Sequence, residues 1–114
     1  MPNHSNLPVY RASYDFLLDV FRCTKNLNRE YKYTVGETLK KETVNLLLFI
    51  CRANGTFDKR SMYILNALEH LETDRLLIRI LRDLGQLEMS KFVDLSRKIE
   101  IVHRQLAGWL KSCR

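Results

Sequence analysis

Basic side chains in regular rows form the clearest candidate binding surface of this chain, and the ligand that such rows suit is phosphate. Arg97, Arg104 and Lys111 recur every seven residues, so they would form one row along a helix. Two further rows are Arg75, Arg79 and Arg82, and Arg11, Arg22, Lys25 and Arg29. Rows of this kind can follow a phosphate backbone, and each contact adds both affinity and salt dependence.

Acidic residues three or four positions away could neutralise many of these bases, which makes the less compensated bases the better candidates. These lie in the first two connections between helices: Lys25, Arg29 and Lys32, and then Arg52, Lys59 and Arg60. We take these six as candidate contacts to phosphate or to a protein partner, with Arg75 and Arg79 next. In an antiparallel bundle the two connections lie at opposite ends, so the groups would merge into one surface only through oligomerisation. An ordinary solvated surface is the alternative for each base.

The net charge supports the same class of partner without deciding it. The 114 residues include 19 Lys and Arg against 13 Asp and Glu, a formal charge of +6. A field of that sign favours nucleic acid or an acidic protein surface.

One spacing could hold a metal. Glu100-Ile101-Val102-His103 has the Glu-x-x-His form that directs a carboxylate and an imidazole at one metal in di-iron bundles. Such sites need two of these motifs and two further glutamates, and this chain has one motif. Glu100 also precedes Arg104 by four residues, as in a surface ion pair. The sequence has no phosphate-binding glycine loop, zinc-protease motif or nucleophile elbow, so we predict no enzyme, no metal and no cofactor.

Carboxylates interrupt the apolar face of the third predicted helix. Glu72 and Asp74 lie on it, with Arg75 and Arg79 following. Burial of a carboxylate requires a partner. We therefore expect an ion pair with arginine, either inside the bundle or on the helix surface, with partner binding as the alternative.

Apolar periodicity predicts the elements that position these residues. Seven apolar residues recur at spacings of three and four on the last helix: Phe92, Leu95, Ile99, Val102, Leu106, Trp109 and Cys113. Helices are predicted at residues 8–27, 35–53, 58–84 and 91–113, and only 4 Gly and 2 Pro interrupt the chain. The short links predict an all-α, antiparallel up-down-up-down four-helix bundle, a single domain over residues 1–114.

The predicted helix ends rest on local motifs. Thr34 and Glu37 have the form of a capping box, and Ser90 is a favourable N-cap for the last helix. Gly55 and Gly85 follow apolar helices and would end them in the left-handed conformation.

Aromatic residues are concentrated in the first helix and the connection after it. Two neighbouring apolar stripes, one with Tyr10, Tyr14, Leu17 and Phe21 and one with Val9, Phe16, Val20, Cys23 and Leu27, make a face wider than one core requires. The aromatic residues of both stripes have core spacing, and the extra width suits a subunit interface. Tyr31 and Tyr33 lie in the connection, where they could stack on a base or cover the bundle end.

The compartment is predicted from what the chain lacks. The three cysteines form no C-x-x-C pair, which favours reduced thiols. No secretory signal precedes the first helix, and the longest apolar run, residues 46–51, is too short to span a membrane. We predict a cytoplasmic protein without membrane association.

Several segments resemble a known family. They are Leu7-Pro8-Val9-Tyr10, residues 67–73 with the sequence ALEHLET, Leu84-Gly85, and residues 106–112 with the sequence LAGWLKS. These segments resemble the four-helix-bundle proteins that include those encoded in 23S rRNA intervening sequences. The chain is more similar to the Avd branch, the accessory variability determinants of diversity-generating retroelements, because residues 51–56 read CRANGT instead of a Ser-Ile-Pro-Ala-Asn type segment.

The resemblance implies a function that the residue patterns alone do not name. It implies a basic homopentamer that binds a reverse transcriptase and its template RNA or an RNA–DNA hybrid, in support of mutagenic reverse transcription. The alternative is a structural or adaptor bundle of the rRNA intervening-sequence type, which oligomerises without binding nucleic acid.

Overall fold

The computed structural model describes residues 6–113. These residues form four long helices, one short helix and the connections between them, and they contain no strand. The helices are α1 (Pro8–Thr24), α2 (Arg29–Lys32), α3 (Val35–Gly55), α4 (Arg60–Asp83) and α5 (Met89–Ser112). α3 packs against α1 and α4, and α5 closes the ring by packing against both α4 and α1. The result is a single antiparallel bundle about 43 Å long and 22 by 21 Å across, as the sequence predicted. The predicted domain also includes residues 1–5 and 114, which lie outside the described residues.

The core is formed by one apolar stripe from each long helix. On α5, Leu95, Ile99, Val102 and Leu106 are buried, while Phe92, Trp109 and Cys113 lie at its margin. Burial of a side chain of this size contributes about 1.5–3 kcal/mol. The predicted last helix is therefore confirmed as a core element.

The two stripes of α1 have different environments. Val9, Phe16 and Val20 are buried, whereas Tyr14 is 46% exposed and Phe21 is 39% exposed. Core spacing was therefore a wrong guide for Tyr14 and Phe21, whereas Tyr10 is partly buried and packs against the core, as predicted. The ring of four helices leaves room for only one stripe of α1 inside, and the other forms an apolar surface.

The ends of the helices near α2 differ from the prediction. α1 ends at Thr24, three residues earlier than predicted, and α2 follows it. The Thr34 hydroxyl donates to the carbonyl of Glu30 in α2, 2.7 Å away, and Glu37 pairs with Lys40. The capping box is therefore wrong, because the short helix before Thr34 takes its hydroxyl. Ser90 is not an N-cap either, since α5 begins at Met89.

The two glycine stops have different outcomes. Gly85 has a φ of 71°, and the backbone amides of Gly85 and Gln86 donate to the carbonyls of Arg82 and Leu81. This Schellman ending confirms the helix stop that was predicted at Gly85. Gly55 is the last residue of α3, so the helix does stop there, but the predicted left-handed conformation is wrong because Gly55 has no positive φ. At that helix end the Arg60 side chain donates from Nε to the Ala53 carbonyl, 2.9 Å away, a carbonyl that the helix itself leaves unpaired.

Two carboxylates are buried between helices. Asp74 on α4 is fully buried, and both of its oxygens lie 3.1 Å from the Thr43 hydroxyl on α3. The predicted arginine pair for Asp74 is therefore wrong. Asp19 on α1 is 7% exposed and contacts Lys98 on α5. Each contact fixes the register of one helix pair.

The remaining sequence expectations concern thiols and membranes. Cys23, Cys51 and Cys113 are free, and burial raises the pKa of the Cys23 thiol to about 11. None of the helices within residues 6–113 is long and apolar enough to cross a membrane.

Candidate nucleic-acid interface

Six of the eight basic residues predicted as contacts lie at the two ends of the bundle, and the other two, Arg75 and Arg79, lie between α4 and α5. The backbone N–H of Asn28 donates to Gln86 Oε1, 2.8 Å away. The α1–α3 connection and the α4–α5 connection therefore lie at the same end of the bundle. We call this the α1–α3 end. At the other end, which we call the α3–α4 end, the Arg60 guanidinium lies 5.8 Å from the centroid of the Trp109 ring near the end of α5. With 21 residues in α3, the two ends are roughly 30 Å apart.

The α1–α3 end carries Lys25, Arg29 and Lys32. Lys25 and Arg29 are exposed, while Lys32 is half-buried with its Nζ 5.9 Å from the centroid of the Tyr33 ring. Within residues 6–113 none of the three has a carboxylate within salt-bridge distance, although Glu30 belongs to the same short helix. Their charges are therefore available to an external anion.

Lys91 belongs to the same end, although it was not among the binding residues predicted from the sequence. It lines a cleft of about 360 Å³ together with Asn26 and Gln86 from the two connections. Lys91 is on α5 and far from Lys25 in sequence, so only the topology of the bundle places them at one end.

The α3–α4 end carries Arg52, Lys59 and Arg60, which differ in how strongly their side chains are already held by other groups of the protein. Arg52 and Lys59 are exposed and, in the described part of the chain, have no carboxylate partner. Arg60 is held by the Ala53 carbonyl and by the rings of Phe57 and Trp109. Arg60 therefore fixes the end of α3. The Arg52 guanidinium lies 4.8 Å from the centroid of the Phe49 ring, a contact that leaves its N–H groups able to donate to phosphate. Lys59 makes no such ring contact among the described residues.

Arg75 and Arg79 line a cleft of about 320 Å³ between α4 and α5. Arg75 pairs with both Glu72 and Glu100. These carboxylates outweigh the effect of burial and raise the pKa of Arg75. Arg79 is exposed and, among residues 6–113, has no ion pair. Of this predicted pair, only Arg79 is open to an anion.

Lys98 shows how acidic residues remove other bases from this surface. Its Nζ contacts Asp19, and it lies 3.4 Å from Asp15 and 3.6 Å from Asp94. Burial alone would raise the pKa of Asp19, but Lys98, with help from Arg22, holds this pKa below its usual value. Lys98 therefore joins α1 to α5 and is not available to a ligand.

The candidate metal motif pairs with another helix. Glu100 contacts Arg75 on α4 instead of the predicted Arg104. Within the described residues, no group of three or more His, Cys, Asp or Glu side chains could hold a metal ion. Another unexpected pair joins His70 Nδ1 to Glu42, with the imidazole stacked on Phe49 at 5.3 Å between ring centroids.

Phe57 was not among the residues predicted from the sequence. It lies between α3 and α4 and is 84% exposed, more than any other large apolar residue in the described chain. The sequence does carry a signal for this position, because Phe57 belongs to no apolar stripe and stands between Gly55 and Asp58 in a short connection.

Comparison with models of protein families identifies a family for this chain. The model of a family described as bAvd-like matches residues 9–113, which is nearly the whole of the described bundle. No curated protein matches the chain.

Proposed function

We propose, since the chain belongs to the bAvd-like family of bacterial Avd proteins, that it binds the reverse transcriptase and the template RNA of a diversity-generating retroelement. Members of this family are generally non-catalytic accessory proteins. On this proposal the protein acts in the cytoplasm, carries out no reaction itself and supports mutagenic reverse transcription by holding RNA close to the enzyme.

The observation that carries the RNA part of the proposal is the division of the bases into paired and unpaired sets. Arg22, Arg97 and Lys98 are neutralised by nearby carboxylates. Lys25, Arg29, Lys32, Arg52 and Lys59 are not, and they lie at the bundle ends. Arg79 and Arg104 are also exposed and, among the described residues, without an ion pair, but they lie along the helices. Unneutralised bases suit phosphate, and five of them lie at the two ends.

The outer stripe of α1 supports a homo-oligomer, and the family resemblance implies a homopentamer. Tyr14 and Phe21 on α1 and Val44 and Leu48 on α3 are each between 38% and 46% exposed. Burial of such a face between copies would remove apolar surface from water. Oligomerisation would also bring the basic ends of several subunits onto one assembly.

The same apolar surface favours a second candidate, an adaptor bundle that oligomerises and does not bind nucleic acid. The two candidates differ in whether the unpaired bases contact RNA, so their salt dependence separates them.

The test compares three double variants that each remove two positive charges. Lys25→Gln/Arg29→Gln changes the α1–α3 end, Arg52→Gln/Lys59→Gln changes the α3–α4 end, and Arg22→Gln/Arg97→Gln is the control, because both of its bases are 65% exposed but ion-paired. Binding of nuclease-treated protein to a structured RNA with single-stranded loops is measured over a salt series, and light scattering gives the oligomeric state. Log affinity falls as log salt concentration rises, and loss of two phosphate contacts should make this fall shallower by roughly 1.4 in the magnitude of the slope.

We expect at least one end variant to show this smaller slope and the control to bind like the wild type. Equal losses in all three variants would mean that net charge alone attracts the RNA. A folded oligomer that binds no RNA at low salt would favour the adaptor, and co-purification with the reverse transcriptase would then test the protein partner separately.

A further inference from the structure

Phe57 is exposed in a way that the fold does not require. It lies in the connection at residues 56–59, and 84% of its surface is open to water. Other aromatic residues of this end, Tyr63 and Trp109 among them, pack against the core. A single exposed apolar residue is common on protein surfaces. The surroundings of the ring therefore decide whether it suits a ligand.

Arg60 holds one face of the Phe57 ring. Its guanidinium lies 5.6 Å from the Phe57 centroid and 5.8 Å from the Trp109 centroid, and its Nε is bonded to the carbonyl of Ala53. The cation is therefore fixed to the end of α3, and it restrains the ring beside it. With one face against Arg60 and most of its surface exposed, the ring has its other face free.

The chain on both sides of Phe57 carries basic residues. Arg52 and Lys59 flank Phe57 in the sequence, are exposed and have no carboxylate partner within residues 6–113. Residues 52–60 contain three bases and one acid, Asp58. A restrained aromatic ring beside unpaired cations is the combination that binds single-stranded nucleic acid, because bases stack on the ring while cations contact phosphates.

We propose that the α3–α4 end is a stacking platform for single-stranded RNA, in which Phe57 stacks on an unpaired base and Arg52 and Lys59 contact the adjacent phosphates. The proposal rests on the proposed function and adds to it the class of RNA and the atoms that recognise it. Duplex RNA is excluded as the main ligand because its bases already stack on each other, and a ring on an exposed turn cannot reach them.

The experiment compares Phe57→Leu, Phe57→Trp and the wild type on a fluorescein-labelled single-stranded RNA and on a duplex of the same sequence, each over a salt series. Leucine keeps an apolar side chain but cannot stack, and tryptophan keeps the stacking surface. Leu76→Ala is the matched control, since Leu76 is an exposed apolar residue on the middle of α4. Because Phe57 contributes little to the core, all variants should fold, which circular dichroism checks.

We expect Phe57→Leu to weaken binding to single-stranded RNA by about tenfold, while Phe57→Trp and Leu76→Ala bind like the wild type. The salt slope should stay unchanged in Phe57→Leu, because stacking releases no counterions. Affinity for the duplex should not change.

Three results would overturn the platform. One is unchanged affinity of Phe57→Leu for single-stranded RNA, and another is an equal loss for single strand and duplex. The third is loss of oligomerisation in Phe57→Leu with RNA affinity retained, which would make the ring a contact between protein subunits. If the wild type binds neither the single strand nor the duplex, the proposed RNA-binding function fails together with the platform. If the wild type binds RNA and Phe57→Leu binds it equally well, only the platform fails.

Discussion

The free energy of unfolding should fall as the pH rises from the ordinary aspartate pKa of 3.8 to the folded-state pKa of about 8 for Asp74, and an Asp74→Asn variant should not show this part of the fall. Burial is the main cause of the raised pKa. The Thr43 hydroxyl opposes it, and the negative charge of Glu42 adds to it. In this window the folded chain keeps a proton that the unfolded chain releases, so stability is lost as pH rises, by roughly 1 kcal/mol per pH unit.

The hydrogen bonds of Thr43 provide an independent reason for a neutral Asp74. The Thr43 hydroxyl lies 2.8 Å from the Leu39 carbonyl and 3.1 Å from each Asp74 oxygen. A hydroxyl has one proton, so it cannot donate both to the carbonyl and to a charged carboxylate. A protonated Asp74 donates to Thr43 Oγ1 and leaves the threonine proton for Leu39.

Urea denaturation of the wild type and of Asp74→Asn at several values between pH 5 and pH 8 measures this effect. The stability of the variant relative to the wild type should rise by roughly 3 kcal/mol over that range. Glu72→Gln is the control, since Glu72 lies on the same helix but is exposed. Parallel pH curves for the wild type and Asp74→Asn would show that Asp74 is charged in the folded protein.

Replacement of Lys98 by methionine should destabilise the bundle by about 3 kcal/mol at pH 7. The substitution keeps the long apolar part of the side chain but removes the main cation from Asp19, whose side chain is only 10% exposed. The remaining partner, Arg22, is 65% exposed and compensates poorly. Urea denaturation at pH 7 measures the loss.

A second variant separates loss of the charge pair from loss of packing. Asp19→Asn/Lys98→Met removes both charges and should recover most of the lost stability. Arg97→Met is the surface control and should cost less than about 0.5 kcal/mol, because its pair with Asp94 is exposed. A double variant that is as unstable as Lys98→Met alone would mean that methionine packs badly at position 98.

The fold was largely predictable because the core depends on spacing within each helix. Leu95, Ile99, Val102 and Leu106 were assigned to one buried face from their spacing alone, and they are buried together. The partner of Asp74 was not predictable, because it depends on which turn of α3 lies opposite α4. The capping box at Thr34 failed for a similar reason, since a neighbouring turn of helix competes for the same hydroxyl.

The candidate site was predictable only in part. Spacing identified the unpaired bases Lys25, Arg29, Arg52 and Lys59, because few acids lie near them on the helix surface. It could not show that Arg75 contacts Glu100 on another helix. Whether a base is free depends on carboxylates that are distant in sequence, and this information appears only when the helices are packed.

The interhelical contacts of the two buried carboxylates, Asp74 and Asp19, also bear on the order in which the helices assemble. Thr43 and Asp74 are 31 residues apart in the sequence, whereas Asp19 and Lys98 are 79 apart. Because closing a longer loop costs more entropy, we expect the α3–α4 hairpin to form early and the α1–α5 contact to close the ring late. Loss of Lys98 would then act mainly by speeding unfolding, and changes at the Thr43–Asp74 contact would act mainly on the folding rate.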